Sequence, residues 1–166
     1  MIKNKPNSPE GLSLKEKKEI QKLTEDFFQK LGIPIEIEKF SFKEQVLLIN
    51  LNTTEPRVLI GHNGQTLSEI QHLLGKIIRK KIKKDFFLNL DIENYKKKKI
   101  EYLKELAQSL ADEVVIYKEE KILPPLSAFE RRIIHLELAQ REDITTQSTG
   151  QGSERRIVIK PVTDNL

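Results

Sequence analysis

The chain has no cysteine and no tryptophan among its 166 residues, and aromatic residues make up only 6% of it. Without cysteine it cannot form a disulfide framework, a thiol nucleophile or a thiolate metal site. The scarcity of aromatic side chains argues against the base-stacking surfaces of RRM and cold-shock domains. Because a lysine-rich chain without cysteine suits a reducing compartment, we expect a cytoplasmic protein.

Long apolar runs are missing as well. Runs such as 46–49 and 114–117 are far shorter than the roughly 18 residues that indicate a membrane-spanning helix. The first nine residues have no apolar segment of the kind that a signal peptide carries. The sequence therefore predicts neither a membrane span nor a secretory signal.

Signatures of catalysis are absent too. The three histidines, His62, His72 and His135, do not have the His-Glu-x-x-His spacing of a zinc site. There is no Walker phosphate loop ending in Gly-Lys-Ser or Gly-Lys-Thr, and no Gly-x-Ser-x-Gly elbow. We therefore expect a protein that is not an enzyme and that needs no metal and no cofactor.

The basic residues are unevenly distributed. Residues 76–104 contain eleven Lys and Arg against four Asp and Glu, which gives this stretch a net charge of +7. All other residues together have a net charge of −3, so the whole chain has a net charge of +4. A concentrated basic segment is typical of a surface that binds a polyanion. A lysine surface that only keeps the protein soluble would produce the same pattern. The neighbouring motifs are therefore needed to distinguish these two interpretations.

Hydrophobic periodicity and turn residues predict an α+β fold in two small halves. We expect a disordered arm at 1–12, a first domain at 13–93 and a second domain at 94–166. The first domain reads helix, strand, strand, short helix, glycine loop, helix, strand. The second begins with a helix over about 95–117, and a capping box at Ser127 and Glu130 starts another helix. Strands are expected at 144–149 and 155–160.

Two glycines, Gly61 and Gly64, lie between the short helix and the long helix of the first domain. Glycine lacks a Cβ atom and lets the backbone approach a ligand closely. The loop leads into a helix N-terminus, where free N–H groups and the helix dipole favour phosphate. The pattern is consistent with a phosphate-binding loop, but also with an ordinary glycine-rich turn between helices.

Arg131 and His135 are four residues apart on the helix that follows Ser127, so they share one face. Phe129, Ile133 and Leu136 fall on roughly the opposite side and are expected to face the core. The pair is then expected to point away from the core. A surface arginine and histidine without a binding role would have the same spacing.

Three segments together resemble one bacterial family. The run 59–67 (LIGHNGQTL), the run 130–135 (ERRIIH) and the segments 146–152 and 155–159 strongly resemble the Jag family, also called KhpB or EloR. The resemblance covers about residues 13–161. It implies a type II-like KH domain followed by a small Arg-x-x-x-His (R-3-H) domain. Many relatives carry a further N-terminal Jag-N domain, for which this chain has only the short arm, so functions of that domain are not carried over.

The resemblance also implies site residues. In the KH domain the RNA-binding loop would comprise Gly61, His62, Asn63, Gly64, Gln65 and Thr66. The family usually has Lys or Arg between the two glycines, where this chain has His62 and Asn63, so other cations are expected to contribute. The candidates for this support are Arg57, Lys76 and Arg79. In the R-3-H domain the nucleic-acid-binding residues would be Arg131, His135, Arg155 and Arg156.

The expected function is that of a single-stranded RNA-binding protein and post-transcriptional regulator linked to cell elongation and division. Single-stranded DNA stays open as a second ligand. The resemblance further implies a partnership with a small stand-alone KH protein (KhpA-like). The alternative is a protein-interaction adaptor with weak or no RNA binding, because the residues between the glycines carry no fixed charge. A nuclease has less support.

Overall fold

The structure is a computed structural model that describes residues 11–162. Most of the expected arm, residues 1–10, lies outside the described residues, but Leu12 is buried in the core, so it belongs to the folded part. The chain divides into two compact units, Met1–Lys96 and Lys97–Leu166. The boundary falls three residues later than expected because Tyr95 and Lys96 contact residues of the first unit.

The first unit begins with helix α1 (Leu14–Lys30), whose start is fixed by a capping box. The Ser13 hydroxyl accepts a hydrogen bond from the Glu16 amide (3.2 Å), and the Glu16 carboxylate accepts one from the Ser13 amide (2.7 Å). Strand β1 (Ile35–Lys43) follows and pairs antiparallel with β2 (Val46–Thr53). The two turn residues, Glu44 and Gln45, both have positive φ, as a tight two-residue hairpin requires.

Helices α2 (Pro56–Ile60) and α3 (Gln65–Ile82) connect β2 to β3 (Phe87–Ile92). This helical crossover allows β3 to run parallel to β2, and the sheet order is β1-β2-β3. Apolar side chains of α1, α3, β2 and β3 form one core, which includes Phe28, Leu47, Ile49, Leu74, Ile78 and Leu90. The element order is the one predicted, and it places the glycine loop between α2 and α3.

The second unit is built on helices α4 (Tyr95–Tyr117) and α5 (Ala128–Leu138), of which α4 begins two residues before the unit boundary. Its sheet contains β4 (Lys121–Ile122), β5 (Ile144–Thr149) and β6 (Arg156–Pro161) in the antiparallel order β4-β6-β5. The two-residue strand β4 was not predicted, because two residues show no periodicity. The core of this unit joins both helices to the sheet through Leu103, Ala107, Ala111, Ile134, Leu138, Ile157 and Ile159.

The fold is therefore mixed α+β in two units, as expected. Within residues 11–162, no helix is both long and apolar enough to cross a membrane.

Candidate nucleic-acid interface

The glycine loop has a conformation that requires glycine at both positions. Gly61 has φ 70° and ψ −173°, and Gly64 has φ 81°. A Cβ atom on Gly61 would lie 2.0 Å from the Thr66 hydroxyl, and one on Gly64 would lie 2.9 Å from the ring of Tyr95. The two glycines therefore let the loop fold tightly onto Thr66 and Tyr95.

Several amides of the loop are already used inside the chain. The Gly61 N–H donates to the Arg57 carbonyl (2.9 Å), the Gly64 N–H to the Gly61 carbonyl (3.4 Å), and the Gln65 N–H to the His62 carbonyl. Helix α3 then begins without a side-chain cap and with no acidic residue in its first turn. The capacity of the site to bind an anion therefore rests on the start of α3.

The side chains at the tip of the loop are exposed. His62, Asn63 and Gln65 all face solvent, while Thr66 is half-buried against Gly61. The Asn63 side-chain nitrogen lies 3.0 Å from His62 Nε2, within hydrogen-bonding distance. The Gln65 amide donates to Glu69 (3.0 Å). The structure thus brings all six predicted loop residues together.

The three cations predicted to support the loop are in different places. Arg57 is exposed and lies one helical turn before Gly61. Lys76 is exposed but lies about 16 Å beyond the start of α3, at 1.5 Å per residue. Arg79 donates to the Phe86 carbonyl (3.2 Å) and so fastens α3 to the segment before β3. Of the three, only Arg57 is near the loop.

Much of the charge of residues 76–104 is balanced by carboxylates from outside that stretch. Lys84 pairs with Glu16 (2.8 Å) in the first unit, and Lys99 pairs with Glu130 (3.3 Å) in the second. Two further pairs of this kind are Lys81–Glu19 and Lys104–Glu137. In the described part of the chain, four exposed lysines of the stretch have no ion-pair partner: Lys76, Lys80, Lys83 and Lys98.

Lys96 differs from the other lysines because its ammonium group is half-buried. It donates to Gln71 Oε1 (2.8 Å) and to Asn89 Oδ1 (2.7 Å), and this burial lowers the pKa of Lys96. Gln71 Oε1 also accepts the Leu90 amide (3.1 Å). Lys96 therefore joins the start of α4 to α3 and β3 and has a structural role.

The prediction that Arg131 and His135 point away from the core is wrong. Arg131 is 9% exposed, and its Nη1 donates to the Leu126 carbonyl (2.5 Å). Phe129 and Leu136, predicted to face the core, are each 64% exposed. The helix has apolar residues on two faces, and the face that contains Ile134 and Leu138 is the one that packs on the sheet.

His135 bridges α5 and β5. Its Nδ1 lies 2.7 Å from the Thr146 hydroxyl and its Nε2 lies 3.2 Å from the Ser148 hydroxyl. Burial lowers the pKa of His135, and the nearby charge of Arg131 lowers it further. The half-buried imidazole is therefore neutral at physiological pH. Sequence reasoning gave no role to Thr146 and Ser148, although the alternation of β5 places them on one face with Ile144.

The two arginines that precede and open β6 have different surroundings. Arg155 is exposed, and its carbonyl accepts a hydrogen bond from the Leu126 N–H (3.1 Å), so Leu126 contacts both the backbone of Arg155 and the side chain of Arg131. Arg156 is half-buried and pairs with Glu154 (3.1 Å). The structure therefore brings Arg155 into the neighbourhood of Arg131.

The described residues contain no cluster of three or more His, Asp or Glu side chains that could hold a metal ion. The cations, amides and hydroxyls of the two units are groups that bind phosphate and nucleic-acid bases without a metal. The chemistry of both sites is that of hydrogen bonding and charge.

Comparison with known proteins identifies the family. The family model of the R-3-H domain matches residues 101–161. The RNA-binding protein KhpB of Clostridium symbiosum is 30% identical over 142 residues, which are 85% of this chain and 64% of that protein. KhpB of Lactiplantibacillus plantarum is 30% identical over 131 residues (79% of this chain, 40% of that protein). KhpB of Bacillus subtilis is 36% identical over 104 residues (61% and 50%).

The chain thus spans between two fifths and two thirds of the length of these relatives. Among solved structures, a nucleotide-bound Era variant from Aquifex aeolicus covers 55% of this chain and 36% of its own, at 16% identity and a TM-score of 0.38, a likeness too low to support an argument. The matches to the KhpB proteins extend over both units, and the domain match lies in the second. The chain therefore belongs to the Jag family of KhpB proteins and carries an R-3-H domain.

Proposed function

We propose that this chain binds single-stranded RNA and acts as a cytoplasmic post-transcriptional regulator. The first unit would act as a type II-like KH domain and the second as a further nucleic-acid-binding module. The names of the relatives support the RNA ligand, since each of them is an RNA-binding protein. We further propose the link to cell elongation and division, and the small stand-alone KH partner, on the family resemblance.

The observation that carries the proposal is the start of α3. A tight loop with two positive-φ glycines precedes this helix. The helix begins without a side-chain cap and has no acidic residue in its first turn. Such a helix start presents its amide dipoles to an anion. The exposed side chains of His62, Asn63 and Gln65 add hydrogen-bonding groups beside it. A phosphate of the RNA backbone fits this arrangement.

The second unit would contribute a further contact. Arg155 is exposed, and Arg131, Thr146 and Ser148 surround His135 in a polar cluster between α5 and β5. Two weak sites on one chain bind a single strand more tightly than either alone, because the second contact is intramolecular.

The test is the affinity for a single-stranded RNA as a function of salt. The variant His62→Asp/Asn63→Asp adds two negative charges at the loop, and Ser41→Asp/Ser109→Asp adds two at exposed positions elsewhere. We expect log K against log salt to fall with a slope of about −0.7 per phosphate contacted. The loop variant should bind more weakly than the control variant. A wild-type chain without affinity at low salt would overturn the proposal.

The alternative, a protein-interaction adaptor, is favoured by one observation. Thr66 and Tyr95 account for both glycines by packing within the chain, so the loop would keep its shape without any RNA ligand. The absence of RNA binding in the salt titration would favour this alternative. RNA cleavage that requires magnesium and survives repurification would instead favour a nuclease.

A further inference from the structure

The outward face of α5 has an unusual composition. Phe129 and Leu136 are each 64% exposed, two turns apart on this face, and Arg132 lies between them and is also exposed. An aromatic ring at the surface beside an unburied arginine is the combination on which single-stranded nucleic acids stack and pair. These residues are not the ones that give the domain its name, because Arg131 and His135 face inward.

The charge around this face is complementary to a polyanion. The two acidic residues of α5, Glu130 and Glu137, are each paired with a lysine of α4, at 3.3 Å and 3.0 Å. Burial alone would raise the pKa of Glu130, but hydrogen bonds from Ser127 and Lys99 lower it, so it stays ionised and paired. Arg132 has no ion-pair partner among residues 11–162. The outward face of α5 is therefore apolar with an uncompensated positive charge.

A second exposed ring, that of Tyr102, lies on α4 of the same unit. Lys99 Nζ is 3.3 Å from Glu130 and 5.9 Å from the ring centroid of Tyr102, which is 56% exposed. Lys99 thus stands between Tyr102 on α4 and the residue that follows Phe129 on α5. Tyr102 therefore adds a second solvent-exposed ring to this unit, on the helix that also contains the lysine paired with Glu130.

We propose that Phe129, Arg132 and Tyr102 form a stacking surface for two or three nucleotides of single-stranded nucleic acid. Phe129 stacks on one base, Arg132 pairs with the adjoining phosphate, and Tyr102 takes a neighbouring base. This inference rests on the proposed function, since it names residues of the second unit that contact the same strand. It adds Arg132 as an exposed phosphate-binding arginine of α5, beside the inward-facing Arg131.

The absence of tryptophan makes a direct test possible. Phe129→Trp introduces the single tryptophan of the chain at the proposed surface, and Ile116→Trp introduces it at a 71% exposed position about 21 Å along α4 from Tyr102. Both full-length variants are titrated with a uridine oligonucleotide. Fluorescence anisotropy of the labelled oligonucleotide is recorded in parallel as an independent measure of binding.

We expect saturable quenching of Phe129→Trp and little quenching of Ile116→Trp, with the same dissociation constant from anisotropy. Phe129→Leu, which keeps the apolar area and loses the ring, should weaken binding about 5- to 100-fold. Arg132→Gln should reduce the salt slope by about 0.7.

Three results would overturn the inference. Binding by anisotropy without quenching of Phe129→Trp would leave the proposed function standing and remove this surface from it. Phe129→Leu binding as tightly as the wild type would show that a ring is not needed. A blue shift of Phe129→Trp emission with protein concentration alone would show that a second copy of the chain covers this face. A wild-type chain that binds no oligonucleotide would remove the proposed function itself.

Discussion

His135 Nδ1 lies 2.7 Å from the hydroxyl of Thr146, and this contact ties helix α5 to strand β5. The other ring nitrogen meets Ser148, so the imidazole uses both of its nitrogens inside the second unit. A histidine with both ring nitrogens in contact with hydroxyl groups of its own unit contributes to the stability of the fold, whether or not it also contacts a ligand. It also makes the stability of the second unit depend on pH.

The pH dependence follows from the lowered pKa of His135. An unfolded histidine titrates near 6.5, and burial and Arg131 lower the pKa in the folded chain. The folded state then binds fewer protons, so its stability is complete above pH 6.5 and decreases as the pH falls below that value. We expect the melting temperature to decrease between pH 7 and pH 5, and to decrease less in His135→Gln.

The pH range in which His135 affects stability is separate from the range in which the Glu16–Lys84 ion pair does. Hydrogen bonds from Lys84 and Ser13 lower the pKa of Glu16 to about 2, so its contribution begins to fall only below its ordinary pKa of 4.5. A melting temperature in wild type that stays constant from pH 7 to pH 5 would contradict the role given to His135.

Arg131 and Arg132 provide a matched pair of neighbours with opposite environments. Arg131→Met removes the hydrogen bond to the Leu126 carbonyl, so we expect a loss of about 1–3 kcal/mol in the free energy of unfolding. Arg132→Met removes an exposed side chain and should change this free energy by no more than about 0.5 kcal/mol. Chemical denaturation of both variants checks the prediction. Equal losses would show that Arg131 does not face inward.

The glycine loop is tested with two alanine substitutions. Gly32 has φ 72°, and a Cβ atom at this position would have no neighbour within 4 Å, so Gly32→Ala measures the backbone cost alone, about 1–2 kcal/mol. Gly61→Ala combines a positive φ with a 2.0 Å approach to Thr66, and should destabilise the first unit by at least about 1 kcal/mol more. Equal losses in a denaturant titration would mean that the contact with Thr66 is not tight.

The basic stretch yields a prediction about two lysines. Lys80 is exposed without an ion-pair partner in the described chain, whereas Lys84 is bound to Glu16 and to the Gly11 carbonyl. Lys80→Gln should weaken RNA binding and reduce the salt slope by about 0.7. Lys84→Gln should mainly lower the stability of the first unit. A larger effect of Lys84→Gln on RNA affinity would show that the pairing with Glu16 does not restrict this lysine.

Local signals predicted most of the fold. Both capping boxes, at Ser13 and at Ser127, form as expected because their hydrogen bonds join residues only three apart. The α+β element order also follows from periodicity over short segments. The short strand β4 could not be found in this way, since its two residues pair with β6 across more than thirty residues of chain.

The sequence was a weaker guide to the site, for two physical reasons. Helix α5 has apolar residues on two faces. The buried face also contains the charged residue Arg131, so the hydrophobic pattern did not identify this face as the buried one. The net charge of residues 76–104 takes no account of carboxylates elsewhere in the sequence. In the folded chain, lysines of this stretch pair with Glu16, Glu19, Glu130 and Glu137. The orientation of a helix and the pairing of charges depend on tertiary contacts, which one sequence does not contain.

The most direct test of RNA binding by the first unit is an NMR titration. The amide signals of the ¹⁵N-labelled chain are followed as a single-stranded uridine oligonucleotide is added. We expect the largest shifts from the amides of the loop and of the first turn of α3, residues 61–67, with smaller shifts around Leu12 and Phe28 in the core. An oligonucleotide that binds, as shown by line broadening or by shifts elsewhere, but leaves the signals of residues 61–67 unchanged would contradict the assignment of this loop as the RNA site.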